Sequence, residues 1–153
     1  CFITCFVIFI SFGNSAKADD DGLELIAIVH PDVNIDEIDY QTIQSIYRSQ
    51  LAHWPDGQRI HPILRPIVKE SAYRFYRDIL KIGPEKLQTH WQNLMVMGQR
   101  LPLQVVLRAY DVGNLVAQQR GAIGIVERRE LTKLVDIRIR VVQILKPTIT
   151  ILQ

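Results

Sequence analysis

Asp111-Val112-Gly113-Asn114-Leu115-Val116, followed four residues later by Gly121-Ala122-Ile123-Gly124-Ile125-Val126, is the stretch on which the fold turns. Asp111 has a side chain suited to capping a helix, and Val112, Leu115 and Val116 recur at three- and four-residue spacing, which predicts a short amphipathic helix. The second hexapeptide is apolar, rich in β-branched residues and entered through a glycine, which predicts a strand. A helix that feeds a strand across so short an interval is the local unit of an α/β protein.

The alternation continues in both directions. Upstream, Leu23 to Val29 is an apolar run broken at His30-Pro31 and reads as a buried strand. Asp36 is placed to cap a helix whose apolar face is Ile43, Ile46 and Tyr47. Pro55-Asp56-Gly57 is a turn, and Ile60 to Leu64 a second short strand bounded by Pro66. Ser71 opens the clearest helix: Ala72, Phe75, Tyr76, Ile79 and Leu80 share one face, while Arg74, Arg77 and Asp78 occupy the other. Gly83 is expected to end it and Pro84 to start the next, where Leu87, Trp91, Leu94 and Met95 form the apolar stripe and Gly98 the close. Downstream, Ile137 to Ile144 reads as a strand open to solvent on one side. Strands alternating with helices predict an α/β fold, a parallel or mixed sheet flanked by helices, in one compact domain. In such sheets ligands sit near the carboxyl ends of strands.

Cys1 to Phe12 differs from the rest: it is apolar and uncharged, and Ala16-Lys17-Ala18 follows with the small-x-small pattern of a signal-peptidase site. The run is shorter than the roughly 20 residues that span a bilayer. Residues 1–18 are therefore expected to be a signal peptide, truncated at its start, with cleavage before Asp19 and a periplasmic domain over 19–153. Both cysteines, Cys1 and Cys5, lie in that segment, so the expected mature chain has neither a disulfide framework nor a cysteine metal site. Across the 153 residues, 48% hydrophobic and 22% charged residues are ordinary for a globular protein, and the formal net charge of +2 gives no footprint for nucleic acid. His30, His53, His61 and His90 are scattered without metal-ligand spacing, and no serine lies in a nucleophile elbow. Nothing in the residues points to an enzyme or a cofactor.

Three segments occur in fixed order: Ile46-Tyr47-Arg48-Ser49 with Trp54-Pro55-Asp56-Gly57; Ile60 to Arg65, then Ser71, Arg74 and Phe75; and Asp111 to Val116 with Gly121 to Val126. In this order and spacing the chain, from roughly Leu25 to Val142, resembles a short form of the phosphate-binding subfamily of type II periplasmic binding proteins. That family has a hydrophobic-Gly-Lys turn before W-x-D/N-G, a strand leading through an Arg to a Gly-Ser turn at a helix start, and a late G-x-I-G-Y-V. The resemblance implies a periplasmic-binding-protein-like fold and non-covalent binding of phosphate or a similar small oxyanion, delivered to an ABC permease. Three positions depart from the pattern: Ser49 and Glu70 stand where glycine is usual, and Ile125 replaces a tyrosine. The first strand also ends in His30-Pro31-Asp32, without the glycine- and serine-rich loop of the long form.

The residues expected to hold an oxyanion are Arg65, Ser71 and Arg74. A helix start presents free N–H groups and partial positive charge, and a hydroxyl at Ser71 and a guanidinium at Arg65 add charge-assisted donors, with Lys69 nearby. Arg74 lies one turn beyond Ser71. Against this, Ser71 also suits a plain N-cap, Arg65 a solvated surface charge, and the Glu70 carboxylate opposes an anion. The leading expectation is an oxyanion-binding protein serving ABC-type uptake; the alternative is a periplasmic interaction or sensory module that keeps the fold, has lost the ligand and meets another periplasmic protein.

Overall fold

The computed structural model describes residues 24–147. The expected signal peptide, its cleavage site and both cysteines lie outside them. One sheet runs through the domain in the order β2-β6-β1-β5-β3-β4, formed by β1 (Leu25–Val29), β2 (Glu37–Asp39), β3 (His61–Leu64), β4 (Gln104–Val105), β5 (Ala122–Glu127) and β6 (Arg140–Leu145). β1 is antiparallel to β5 and β6, whereas β3 is parallel to β5 and β4, and β2 to β6. The fold is the expected α/β mixed sheet flanked by helices.

Alternation along the central strands feeds two cores. Ala27 and Val29 of β1, with Ile123 and Ile125 of β5, point to one face and pack with Ile43, Tyr47, Phe75 and Trp91 from the helices there. Ile26, Ile28, Ala122 and Val126 point to the other, against Val112 and Val116. β5 is buried along its whole length because it is covered on both sides. The first face carries α1 (Tyr40–Tyr47), α2 (Glu70–Arg74), the π-helical segment Phe75–Leu80 that continues it, and α3 (Pro84–Val96). The second carries α4 (Ala109–Gln118).

Gly121 and Gly124, the two glycines of the second hexapeptide, have distinct steric causes. Gly121 has φ +78°, and a Cβ there would lie 2.0 Å from the Arg59 carbonyl oxygen. A Cβ on Gly124 would meet Val112 Cγ1 at 2.3 Å, so the missing side chain sets how closely α4 approaches β5.

Several expected boundaries move. Asp39, not Asp36, caps α1: its Oδ1 accepts from the Thr42 N–H at 2.7 Å. The intervening residues pair with β6 as β2, and this tertiary pairing delays the helix. Asp111 lies inside α4 rather than at its cap and pairs with the N-cap residue Arg108 at 2.8 Å. The helix through Phe75 ends at Lys81, which takes the left-handed conformation (φ 55°), while Gly83 caps α3. In α3 only Leu87 and Trp91 are buried, and Met95 is 42% exposed. The last strand begins at Arg140, with Val142 and Ile144 inward and Val141, Gln143 and Leu145 outward.

Candidate functional site

Parallel pairing of β3 with β5 places their carboxyl ends side by side, with Ile63 opposite Gly124. Beyond β3 the chain reaches Arg65, Pro66 and the start of α2. Beyond β5 it enters a 3₁₀ turn, Arg128–Lys133, opened by a reciprocal capping box between Glu127 and Glu130. The two exit segments therefore meet at one end of the sheet.

Arg65 and Ser71 do come together there, and each already has an anionic partner. The Arg65 guanidinium grips Glu130 through both terminal nitrogens, at 2.6 and 3.2 Å, and its Nε donates to the Leu107 carbonyl at 3.0 Å. Ser71 is buried and donates its hydroxyl to Oε1 of Glu127. Arg129 pairs with the other oxygen of Glu127, and Lys69 approaches Glu130 at 3.8 Å. Glu130 Oε2 also accepts the Glu127 N–H at 3.0 Å. Three cations and a hydroxyl thus surround two carboxylates that come from the chain itself. Burial pushes the Glu130 carboxyl up, but Arg65, the Glu127 N–H and Lys69 outweigh it and hold the group below the usual glutamate range.

Ser71 is not a helix cap. α2 begins at Glu70 with Lys69 in the capping position and no side-chain cap. Arg74 is directed elsewhere: its Nε lies 3.6 Å from Glu70 Oε1, one turn back along the helix. A cavity of about 20 Å³ is left beside Arg65, Lys69 and Ser71, with Ile63, Phe75 and Ile125 on its apolar side. That is room for about one water molecule, less than a tetrahedral oxyanion fills. Glu127 and Glu130 were not expected from the residues. Their signal is the Glu-x-x-Glu of the capping box directly after a buried strand.

Among the described residues, no three His, Cys, Asp or Glu side chains form a group that could hold a metal ion, and no helix is long and apolar enough to cross a membrane.

Comparison of the structure with solved proteins gives a consistent set of neighbours. PstS from Borrelia burgdorferi superposes with a TM-score of 0.61 at 16% identity, over 81% of this chain and 49% of that one. What is shared is the fold, a mixed α/β sheet flanked by helices, over about half of the solved protein. A putative phosphate ABC transporter substrate-binding protein with bound phosphate from Clostridium perfringens aligns at a TM-score of 0.59 and 17% identity, over 78% of this chain and 44% of that one. An ABC-type phosphate transport receptor from Vibrio cholerae gives 0.54 and 18%, over 82% and 48%. The chain spans just under half the length of these proteins. No protein-family model and no curated protein sequence matches it.

The departures from the family pattern acquire a physical meaning here. Ser49 holds φ 63°, the left-handed conformation for which glycine is the usual residue. Ile125 lines the small cavity without bringing it a hydroxyl. Glu70 is drawn to Arg74 and lies more than half exposed.

Proposed function

We propose that the chain is a non-enzymatic module of the periplasmic-binding-protein type whose oxyanion position is filled by its own carboxylates, and that it acts by meeting another periplasmic protein after export through the segment 1–18. The observation that carries this reading is the Arg65–Glu130 fork. Glu130 occupies the Nη1–Nη2 edge of the guanidinium and the Leu107 carbonyl takes its Nε, so a phosphate reaches that edge only by displacing Glu130, which would strand a carboxylate in a buried setting. Ser71 is committed in the same way to Glu127.

A second reading, uptake of phosphate or a similar small oxyanion with an ABC permease, is favoured by the structural neighbours named for phosphate and by the meeting of Arg65, Lys69 and Ser71 at one strand end. In this reading the ligand displaces Glu130 and takes its place on Arg65. Calorimetric titration of the 19–153 domain with phosphate separates the two. Wild type giving no heat that depends on Arg65 at millimolar phosphate, sulfate and arsenate supports the self-filled site. Saturable heat that is lost in Arg65→Ala sinks it and establishes the uptake reading.

A further inference from the structure

The opposite end of β3 carries a second, larger feature. A cleft of about 280 Å³ opens where the chain enters β3, between that strand, α3 and the segment leading into β4. It lies at His61, the first residue of β3, whereas the carboxylate network begins after Leu64, the last. The two are therefore separated by the length of the strand, on the order of 13 Å at the usual rise per residue.

The chemistry of the cleft is one-sided. Arg59, His61 and Arg100 line it, and no Asp or Glu does. Among the described residues neither Arg59 nor Arg100 forms an ion pair, in contrast to Arg65, Arg77, Arg108, Arg120 and Arg128. Arg100 is half-buried and held in place by one Nη2 donating to the Ser49 carbonyl at 3.0 Å, which leaves its remaining donors uncommitted. Burial first, and then the charge of Arg59, push the Arg100 guanidinium below the usual arginine range, and the same two causes in the same order depress His61. Like charges gathered in a partly desolvated hollow with no counter-charge cost free energy, and a bound anion offsets it. The remaining wall is apolar and fixed: Trp91 is buried and its Nε1 donates to the Tyr47 carbonyl at 2.7 Å, and Leu103 packs against the same core.

We infer that this cleft is a binding site for a small organic anion, with Arg59 and Arg100 receiving its carboxylate or phosphoryl group and Trp91 and Leu103 its apolar body. Both parts are needed, because guanidiniums alone bind weakly in water and a wet apolar wall alone has no preference for charge. The site is independent of the carboxylate network and stands whether or not that network admits phosphate.

Phenyl phosphate and inorganic phosphate are the probes, titrated by calorimetry into wild type, Arg59→Gln, Arg100→Gln and Lys69→Gln. The Arg59 side chain is exposed and its structural contacts, the bridge to His53 and the approach to Gly121, are made by the backbone, so Arg59→Gln keeps the fold. Phenyl phosphate is expected to bind wild type and Lys69→Gln equally, and to lose about tenfold or more in affinity in each arginine variant, the usual weight of a charge-assisted contact. Inorganic phosphate, lacking the body, is expected to bind the cleft more weakly. The inference is overturned if phenyl phosphate does not bind wild type at about 10 mM, well above the millimolar range of a weak site. It is equally overturned if Arg59→Gln binds as wild type does, or if Lys69→Gln abolishes binding, which moves the ligand to the other end of β3.

Discussion

Ser49 holds an L side chain at φ 63°, and its buried Oγ has no hydrogen-bond partner. Both facts act against the folded state: left-handed backbone costs about 1–2 kcal/mol for a residue with a Cβ, and an unsatisfied buried hydroxyl adds roughly 1–3 kcal/mol. Glycine removes both and gives back about 0.5–1 kcal/mol in unfolded-chain entropy. Ser49→Gly is therefore expected to stabilise the domain by about 1–4 kcal/mol, read as a higher urea midpoint at unchanged slope. The opposite holds at Glu130. Glu130→Gln keeps the shape but removes the charge that satisfies Arg65, and is expected to cost about 1.5–3 kcal/mol, the worth of hydrogen bonds to charged groups. A urea midpoint equal to that of wild type would show that Arg65 is solvated and the fork inconsequential.

The π-helical segment Phe75–Leu80 shows how far an element is legible in its residues. Phe75, Tyr76, Ile79 and Leu80 are buried as expected, but this set satisfies an α-helical stripe and a wider π turn alike, so periodicity could not separate them. Phe75 sits edge-on to Tyr47 at 5.2 Å and to Tyr76 at 5.9 Å, whereas Arg77 is half exposed and pairs with its neighbour Asp78. Phe75→Ala is expected to cost about 3–5 kcal/mol and Arg77→Ala less than about 0.5 kcal/mol. Comparable urea midpoints for the two variants would mean that the buried face is misassigned. Strands β1 and β5 were legible because each contains a continuous apolar run, and β3 because Ile60 to Leu64 is a short, mostly apolar segment set between the Pro55-Asp56-Gly57 turn and Pro66. β2 and β4 were not, since Glu37-Ile38-Asp39 and Gln104-Val105 are too short for a pattern and exist through pairing with β6 and β3. The site divides the same way. Arg65 and Ser71 stand out by their place after a strand and near a helix start. Their partners come from 56 and 65 residues further along the chain, and only the parallel register of β3 and β5 brings them together.

At the scale of the whole molecule, two apolar cores on a single sheet are tied at one end by charge. The network joins the exit of β3, the start of α2 and the turn after β5, so it links the elements of both faces. This makes stability depend on pH in a definite direction. The Glu130 carboxyl is held below its ordinary value: burial alone would raise it, but Arg65 first, then the Glu127 N–H and Lys69, reverse the effect. A group depressed in the folded state contributes in full above its unfolded value, about 4.3 for glutamate, and loses that contribution as pH falls through the folded one. Asp39, lowered by the Thr42 backbone N–H it caps, and Glu24, lowered by Arg128, act with the same sign. The urea midpoint is therefore expected to be level near neutrality and to drop once the pH falls below about 4. Glu130→Gln removes one titrating carboxyl from the set. Its midpoint is lower at pH 7, and its further loss on acidification is smaller, so the two curves converge in acid. Parallel curves for wild type and Glu130→Gln would place the acid sensitivity elsewhere, and Asp39→Asn, tested in the same way, would then identify whether the helix cap carries it.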